Sequence, residues 1–203
     1  PDYHPEVSSF DGFSLARQYG LTWAQLHARP AKYWYDTGSY MYIMVNSVAM
    51  ENRWNEIDRS IALFDTSIIP PGSTILSATL WLRTECPYCQ IPGCAANIYS
   101  SNPLFNTKIS QEDHLSLGSI PFSTNLELTG VFDERWDSFP FNAAGLAAIV
   151  PGGITKLGIR EANYDAPNIE PPWLGSLQTY MRMTQSDTGP YLHPPTLTVT
   201  WKP

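Results

Sequence analysis

Apolar and polar residues alternate in short segments along most of the chain, and this alternation predicts β-strands. In the clearest segment, 196–201, Leu197, Val199 and Trp201 would share one face while three threonines share the other. In segment 33–48 apolar residues occupy both faces, a pattern that is typical of a buried strand in a two-layer structure. Three further strands are predicted at residues 95–99, 126–132 and 154–160.

Turn and cap signals divide these strands and predict two short helices. Segment 59–82 contains a Pro-Pro-Gly sequence at 70–72, which cannot lie within a central strand, so the segment is predicted as strand, turn, strand. Thr22 and Gln25 have the spacing of a capping box, which predicts a helix start, and a nearby proline keeps that helix short. A second short helix is predicted within residues 141–150.

Many short strands and few helices predict an all-β protein, specifically a two-sheet antiparallel β-sandwich of jelly-roll type. Residues 1–20 show little periodicity and are predicted to form an extended N-terminal arm, whereas residues 21–203 form one domain. Hydrophobic residues make up 43% of the chain and charged residues only 15%, a balance that excludes a disordered protein.

The charge and the hydropathy of the chain argue against two kinds of partner, nucleic acid and the interior of a membrane. The formal net charge is −7 and lysine and arginine form no cluster, so we expect no nucleic-acid partner, because such binding begins with a basic surface. No apolar stretch approaches the roughly 20 residues that cross a bilayer, so no membrane span is predicted.

The three cysteines, Cys86, Cys89 and Cys94, lie close together in the sequence and leave three interpretations open. One local disulfide would leave the third thiol buried or paired to another chain, and it would indicate an oxidising exterior. Inert thiols are the second interpretation, and a metal or redox site is the third. A structural zinc site needs a fourth ligand, and none lies nearby in the sequence.

Apart from the cysteines, only carboxylates are candidate catalytic or metal-binding residues. The chain contains no sequence motif of a catalytic nucleophile, of a metal-binding helix or of a phosphate-binding loop. Asp133, Glu134 and Asp137 are interpreted as a solvated acidic loop or as a calcium site, since clustered oxygen ligands suit that cation. A hydrolase acting through these carboxylates is a weaker hypothesis, and we predict a protein that is not an enzyme and has no cofactor other than possible calcium.

Two further groups of residues have structural or binding interpretations. Arg59 lies among apolar residues of a predicted strand, so its guanidinium needs a partner, and Asp65 or a backbone carbonyl is the predicted one. Aromatic residues in or beside predicted loops would stack on sugar rings, or they would bury at core edges or at contacts between subunits. They are Trp34, Tyr35, Trp54, Tyr88, Tyr164, Trp173 and Tyr180.

One stretch resembles the DNRLRE-type β-sandwich domains, in which an arginine-led strand precedes a Phe-Asp-Thr/Leu-Ser turn, an Ile-Pro pair and a Gly-x-Thr-Ile-x-x-Ala-x-Leu strand. The matching positions are Arg59, Phe64-Asp65-Thr66-Ser67, Ile69-Pro70, Gly72-Ser73-Thr74-Ile75 and Ala78-Thr79-Leu80. Segments 156–161 and 195–201 are similar to the later part of the family pattern, whereas the cysteine segment departs from it. The resemblance implies a non-catalytic scaffold similar to carbohydrate-binding modules and to domains of phage virion and surface proteins.

From these observations we expect a structural subunit of an extracellular, cell-surface or virion assembly, with copies of itself or other structural proteins as partners. Assembly would use free sheet edges and the N-terminal arm, through Val7, Phe10, Phe13 and Leu15. The alternative is a carbohydrate-binding module of a secreted or surface protein, with a polysaccharide as partner. Its sugar-stacking residues would be Trp34, Tyr35, Trp54, Trp173 and Tyr180.

Overall fold

Strands form most of the regular structure in the computed structural model, which describes residues 1–5, 10–128, 135–187 and 193–203, with residues 85–87 as backbone only. The strands of these residues are β1 (Asp2–Tyr3), β2 (Asp11–Leu21), β3 (Tyr33–Tyr35), β4 (Tyr40–Ser47), β5 (Trp54–Asp65), β6 (Thr74–Cys89), β7 (Ala95–Ser100), β8 (Leu126–Glu127), β9 (Arg135–Pro140), β10 (Ile154–Glu161), β11 (Gln178–Thr184) and β12 (Thr196–Lys202). The helices are α1 (Trp23–His27) and α2 (Ala143–Ala147), and a 3-10 turn spans Gln111–Leu115. The all-β class with one or two short helices is confirmed.

The strands pair antiparallel in the order β1-β12-β6-β11-β4-β5-β10-β7-β8, with β2 beside β5, β3 beside β2, and β9 beside β6. The two longest strands change neighbours along their length. Strand β5 pairs β4 over residues 54–58 and β10 over residues 60–65, while β6 pairs β12 over residues 74–81 and β11 over residues 84–89. These changes join the strands into one 12-stranded sheet, which is not closed, and the two-sheet jelly roll stays a prediction.

The main core lies on one face of this sheet, and a smaller buried cluster that includes Ile61 and Leu63 lies on the other face of β5. Met41, Ile43 and Val45 of β4 are buried, and the residues between them are half-buried rather than enclosed, so β4 has only one buried face. Strand β5 differs, because nearly all of its residues are buried on both faces. Burial of aliphatic side chains at about 25 cal/mol per Å² is the main favourable contribution to folding.

Residues 10–21 do not form the extended arm predicted from the sequence. Residues 11–21 are strand β2, which pairs β5 on one side and β3 on the other. Phe10 and Leu15 are 2% and 6% exposed, and Phe13 is half-buried against the core. Val7 lies outside the described residues. Phe10, Phe13 and Leu15, which were assigned to contacts with a neighbouring subunit, therefore pack within the chain's own fold.

Helix α1 begins where the capping box predicts. The Thr22 hydroxyl accepts the Gln25 N–H at 3.3 Å, and the Gln25 amide oxygen accepts the Thr22 N–H at 3.1 Å. Trp23 and Leu26 are buried and anchor the helix on the sheet. No helix among the described residues has both the length and the apolar character that crossing a bilayer requires.

A buried ion cluster lies at the point where β5 changes from β4 to β10. The Asp165 carboxylate accepts Arg59 at 2.6 Å and Arg160 at 2.8 Å, and all three side chains are at most 5% exposed. The Arg59 guanidinium also donates to the His114 carbonyl at 2.7 Å. Burial would raise the pKa of Asp165, but the charges of the two arginines outweigh burial and hold that pKa well below its usual value.

The predicted pairing of Arg59 with Asp65 is wrong. The two residues lie six positions apart in one strand, which places them on the same face but about 20 Å apart along it. Asp65 instead ends β5, where its carboxylate accepts the Ser67 N–H at 3.0 Å in the following turn. The true partner, Asp165, lies 106 positions from Arg59 in the sequence.

Glu161 holds the turn that presents Asp165 to the arginines. Its carboxylate accepts the backbone N–H groups of Asn163, Tyr164 and Asp165 at 2.7–3.0 Å. It also accepts the Ala95 N–H at 3.2 Å, which ties the turn to β7. Burial raises the pKa of Glu161, and these hydrogen bonds oppose that rise.

Replacing Asp165 with Asn should lower the free energy of unfolding by about 3–5 kcal/mol at neutral pH, because two buried arginines lose their counter-ion. Urea unfolding followed by tryptophan fluorescence measures this change. The carboxylate of Asp165 stabilises the fold above its unfolded pKa of about 3.9, and this stabilisation is lost as the pH falls through the lower folded pKa. The difference between wild type and variant should therefore stay constant at neutral pH and shrink in strong acid.

Glu51→Gln is the matched control, since Glu51 lies in an exposed turn and should change stability by no more than about 0.5 kcal/mol. An Asp165→Asn variant as stable as this control would contradict the structural role of the cluster.

Candidate functional site

The structure separates the aromatic residues predicted to contact sugar. Trp54 is fully buried, its indole N–H donates to Glu170 at 3.0 Å, and its ring packs edge-on against Trp23, so Trp54 is a core residue and the prediction for it is wrong. Trp173 is half-buried against the core, and its indole N–H donates to the Val48 carbonyl at 3.0 Å. Tyr164 is likewise half-buried against the core, and its hydroxyl donates to a loop carbonyl.

Strand β3 holds a second aromatic group at an edge of the sheet. Trp34 and Tyr35 are 44% and 46% exposed, and Tyr33 beside them is 42% exposed. The Tyr35 ring stacks on Phe13 at 5.2 Å, which fixes one of the three rings. With Lys32 these residues line only a shallow depression of about 160 Å³.

Tyr180 and Tyr88 form a third group, on the outer face of β11 and β6. They are direct cross-strand partners, and their ring centroids lie 5.7 Å apart. Tyr88 is 43% exposed, whereas Tyr180 is half-buried. Because β6 and β11 are paired along this stretch, the sheet backbone holds the two rings together.

Beside these tyrosines is a cleft of about 290 Å³ that we call the amide cleft. Its lining residues are Asn46, Ser47, Asn55, Tyr88, Gln90, Ser176, Leu177 and Gln178. Four of them have side-chain amides, which both donate and accept hydrogen bonds, and none is charged.

Strand register brings the amides together from distant parts of the chain. Asn46 in β4 lies opposite Gln178 in β11. Gln90 follows β6, and its side-chain oxygen accepts the Gln178 N–H at 2.9 Å while its own N–H donates to the Gln178 carbonyl at 3.2 Å. These reciprocal bonds fix two amide-bearing residues at one wall of the cleft.

Buried hydroxyl groups support the walls of the cleft from below. The Thr179 hydroxyl accepts the N–H groups of Gln90 at 3.2 Å and Ile91 at 2.9 Å. The Ser47 hydroxyl donates to the Gly175 carbonyl at 2.6 Å and accepts the Leu177 N–H at 2.8 Å. Such bonds hold a lining in place before a ligand arrives, which lowers the entropic cost of binding.

Two buried carboxylates of β5 lie behind the cleft. The Asn46 amide donates to Glu56 at 3.1 Å, and Arg17 approaches the same Glu56 carboxylate at 3.8 Å. Burial raises the pKa of Glu56, while Arg17 and Asn46 oppose the rise. Burial and then the charge of Glu56 raise the pKa of Asp58 well above its usual value.

Two lining residues have acceptor atoms that are buried and take no hydrogen bond within the described part of the chain, namely the side-chain oxygens of Asn46 and Asn55. An unpaired buried acceptor is costly, by about 1–3 kcal/mol. These two oxygens are closed to solvent, so a ligand would reach them only after the amide groups rotate. The lining as a whole combines amide groups, which both donate and accept, with the flat ring of Tyr88.

Of the three predicted calcium ligands, the structure describes only Asp137. Asp133 and Glu134 lie outside the described residues. Asp137 is buried and its carboxylate lies 2.7 Å from the Arg135 guanidinium, so its charge is already paired. In the described part of the chain, no group of three or more His, Cys, Asp or Glu residues could hold a metal ion.

Among the described cysteine side chains there is no disulfide. Cys89 and Cys94 are both free thiols, and the Cys89 S–H donates to the Ile91 carbonyl at 3.3 Å. Burial raises the pKa of the Cys94 thiol, which keeps it protonated and unreactive. The side chain of Cys86 lies outside the described residues.

The sequence analysis identified Tyr88 and Tyr180 but missed the four amides of the cleft. Asn46, Asn55, Gln90 and Gln178 share no spacing that indicates a common site. The sequence offers one indication of such a site, an amide side chain at an outward position of an otherwise apolar strand, as at Asn46. This indication does not show which strands are neighbours.

Thr179→Val should destabilise the protein by about 1–3 kcal/mol, because the buried Ile91 N–H loses its acceptor while the Gln90 N–H keeps the Gln178 carbonyl. Thr198→Val is the matched control, since the half-exposed Thr198 hydroxyl only donates to an exposed Asp2. Urea unfolding measures both variants, and equal stabilities would show that Thr179 does not support the cleft wall.

Comparison with protein-family models gives no match, and comparison with curated protein sequences gives none either.

Proposed function

We propose that the protein is a non-catalytic carbohydrate-binding protein whose binding site is the amide cleft. The observation that carries this proposal is the lining, in which four neutral amides and two serines surround a cleft beside an exposed tyrosine. Sugar rings combine many hydroxyl groups with an apolar face, so their recognition requires donors and acceptors next to a flat aromatic ring.

The size and charge of the cleft define the ligand further. A volume of about 290 Å³ is at the small end of ligand pockets, which favours one or two sugar units over a long chain enclosed on all sides. The neutral lining and the net charge of −7 favour an uncharged saccharide over an acidic one, which the protein's field would repel.

The carboxylates near the cleft support binding rather than hydrolysis. Glu56 already contacts Asn46 and Arg17, and Asp58 is only 3% exposed, so neither is free to reach a glycosidic bond. The resemblance to DNRLRE-type domains supports the same class of function. In keeping with that resemblance, we propose that the protein acts outside the cell, on a cell surface or on a virion.

Titration calorimetry with neutral mono- and disaccharides tests the proposal. Gln178→Ala and Tyr88→Ala should each weaken binding about tenfold, which corresponds to about 1.4 kcal/mol, because each removes a hydrogen-bonding group or the stacking ring. Gln111→Ala and Tyr19→Ala are matched controls, since both side chains are exposed and lie outside the cleft.

Equal saccharide affinities in all four variants would show that the saccharide does not bind in the amide cleft. Failure of the wild-type protein to bind any neutral saccharide would overturn the proposal.

Strand β3 favours a second candidate function, a structural subunit that assembles through sheet edges. Within the described residues β3 pairs only with β2, so one of its edges is free, and its three residues are all exposed aromatics. A short edge strand without charged residues offers backbone groups and apolar rings to another chain.

Trp34→Lys should block such assembly, because a charge on a free strand edge disfavours pairing. Light scattering on the purified protein measures the assembled mass, with Leu174→Lys as a control at an exposed position outside any strand. A wild-type protein that stays monomeric at all concentrations would contradict this second function.

A further inference from the structure

A further exposed aromatic group lies far along β6 from the amide cleft. Trp81 in β6 and Trp136 in β9 are 38% and 41% exposed. With Asp2, Thr196 and Thr198 they line a depression of about 250 Å³. We call these five residues the tryptophan face.

Strand register places both tryptophans on the outer face of the sheet. Trp81 lies opposite Ser138 of β9, and the next pair on that face joins Arg83 to Trp136, so the two tryptophans are diagonal neighbours. Leu80 and Leu82, which flank Trp81 in the sequence, are fully buried on the opposite face. The exposed rings therefore follow from regular strand alternation.

Hydroxyl groups surround the two rings. Thr196 of β12 lies opposite Trp81, and Thr198 lies opposite Thr79. The Thr198 hydroxyl donates to the Asp2 carboxylate at 2.8 Å, which fixes its orientation. Two large flat rings among threonine and serine hydroxyls form a surface that is partly apolar and partly hydrogen-bonding.

Trp136 is held in place before any ligand binds. Its ring packs edge-on against His193, with centroids 5.6 Å apart. Where Trp81 lies, β6 is paired on both sides, to β9 and to β12, so its backbone groups are already hydrogen-bonded. At Trp81 the face thus offers side chains rather than backbone groups. Within the described residues β9, which carries Trp136, pairs only with β6, and β1, which carries Asp2, pairs only with β12, so each of these two strands has one free edge beside the face.

We propose that the tryptophan face is a second carbohydrate site, which binds the flat side of an extended, uncharged polysaccharide chain. Two neighbouring rings would contact successive sugar units, and the threonine hydroxyls would bond the sugar hydroxyls along the chain. The open surface suits a polymer, whereas the amide cleft suits a short saccharide or a chain end. This inference shares its ligand class with the proposed function, but the two sites have no residue in common.

Sedimentation with insoluble neutral polysaccharides, namely cellulose and chitin, tests the proposal. Trp81→Ala and Trp136→Ala should each reduce the affinity for the polymer at least tenfold, whereas Tyr19→Ala, at an exposed aromatic residue outside both proposed sites, should leave it unchanged. Trp81→Phe should keep part of the affinity, and it provides a variant that folds if the alanine variant does not.

The two sites are distinguished by their own variants. Trp81→Ala should leave saccharide titrations of the amide cleft unchanged, and Gln178→Ala should leave polymer sedimentation unchanged. A wild-type protein that binds small saccharides but no polymer overturns this inference and leaves the proposed function intact. A drop in assembled mass for Trp81→Ala, without polymer binding by the wild type, would show instead that the face is a contact between copies.

Discussion

The rest of the structure depends on the ion pairs of Asp165 with two buried arginines. Without this carboxylate, both arginines would be buried without a counter-ion. Arg59 reaches it from β5, and Arg160 reaches it from β10. The Asp165 carbonyl lies 2.8 Å from a ring nitrogen of His27, which links α1 to the same cluster. A charge removed from water stabilises a fold only when its partners are in place, so this cluster requires all three elements to assemble together.

The cluster lies where β5 changes its neighbouring strand. Strand β6 also changes its neighbouring strand, and it contributes one residue to the amide cleft and one to the tryptophan face. Strand β6 pairs β12 and β9 where it carries Trp81, and it pairs β11 where it carries Tyr88. Because β6 changes its neighbouring strand, the residues at its two ends lie beside different strands. The amide cleft and the tryptophan face thus each include one aromatic residue of β6.

Charge and binding chemistry are separated in this molecule. In the buried cluster, the two arginine side chains are at most 5% exposed and the Asp165 side chain is fully buried. These ionised groups stabilise the fold and are not available to a ligand. The surfaces that we propose for ligands are lined mainly by amides, hydroxyls and aromatic rings, with Asp2 as the exception. Neutral groups lose less hydration free energy than charges when a ligand covers them, which suits recognition of an uncharged and strongly hydrated partner.

Local patterns in the sequence determined the all-β class, the strand–turn–strand unit before residue 82, the start of α1 at Thr22 and the buried face of β12. Each depends on residues only a few positions apart, so backbone sterics, capping and alternation decide it. Only the tertiary structure decided that Arg59 pairs with Asp165, that Trp54 is buried, and that residues 10–21 belong to the sheet. It also decided that Asn46 meets Gln178. Those outcomes depend on which strands become neighbours, and pairing is set by contacts between segments that are far apart in the chain, which a single sequence does not display.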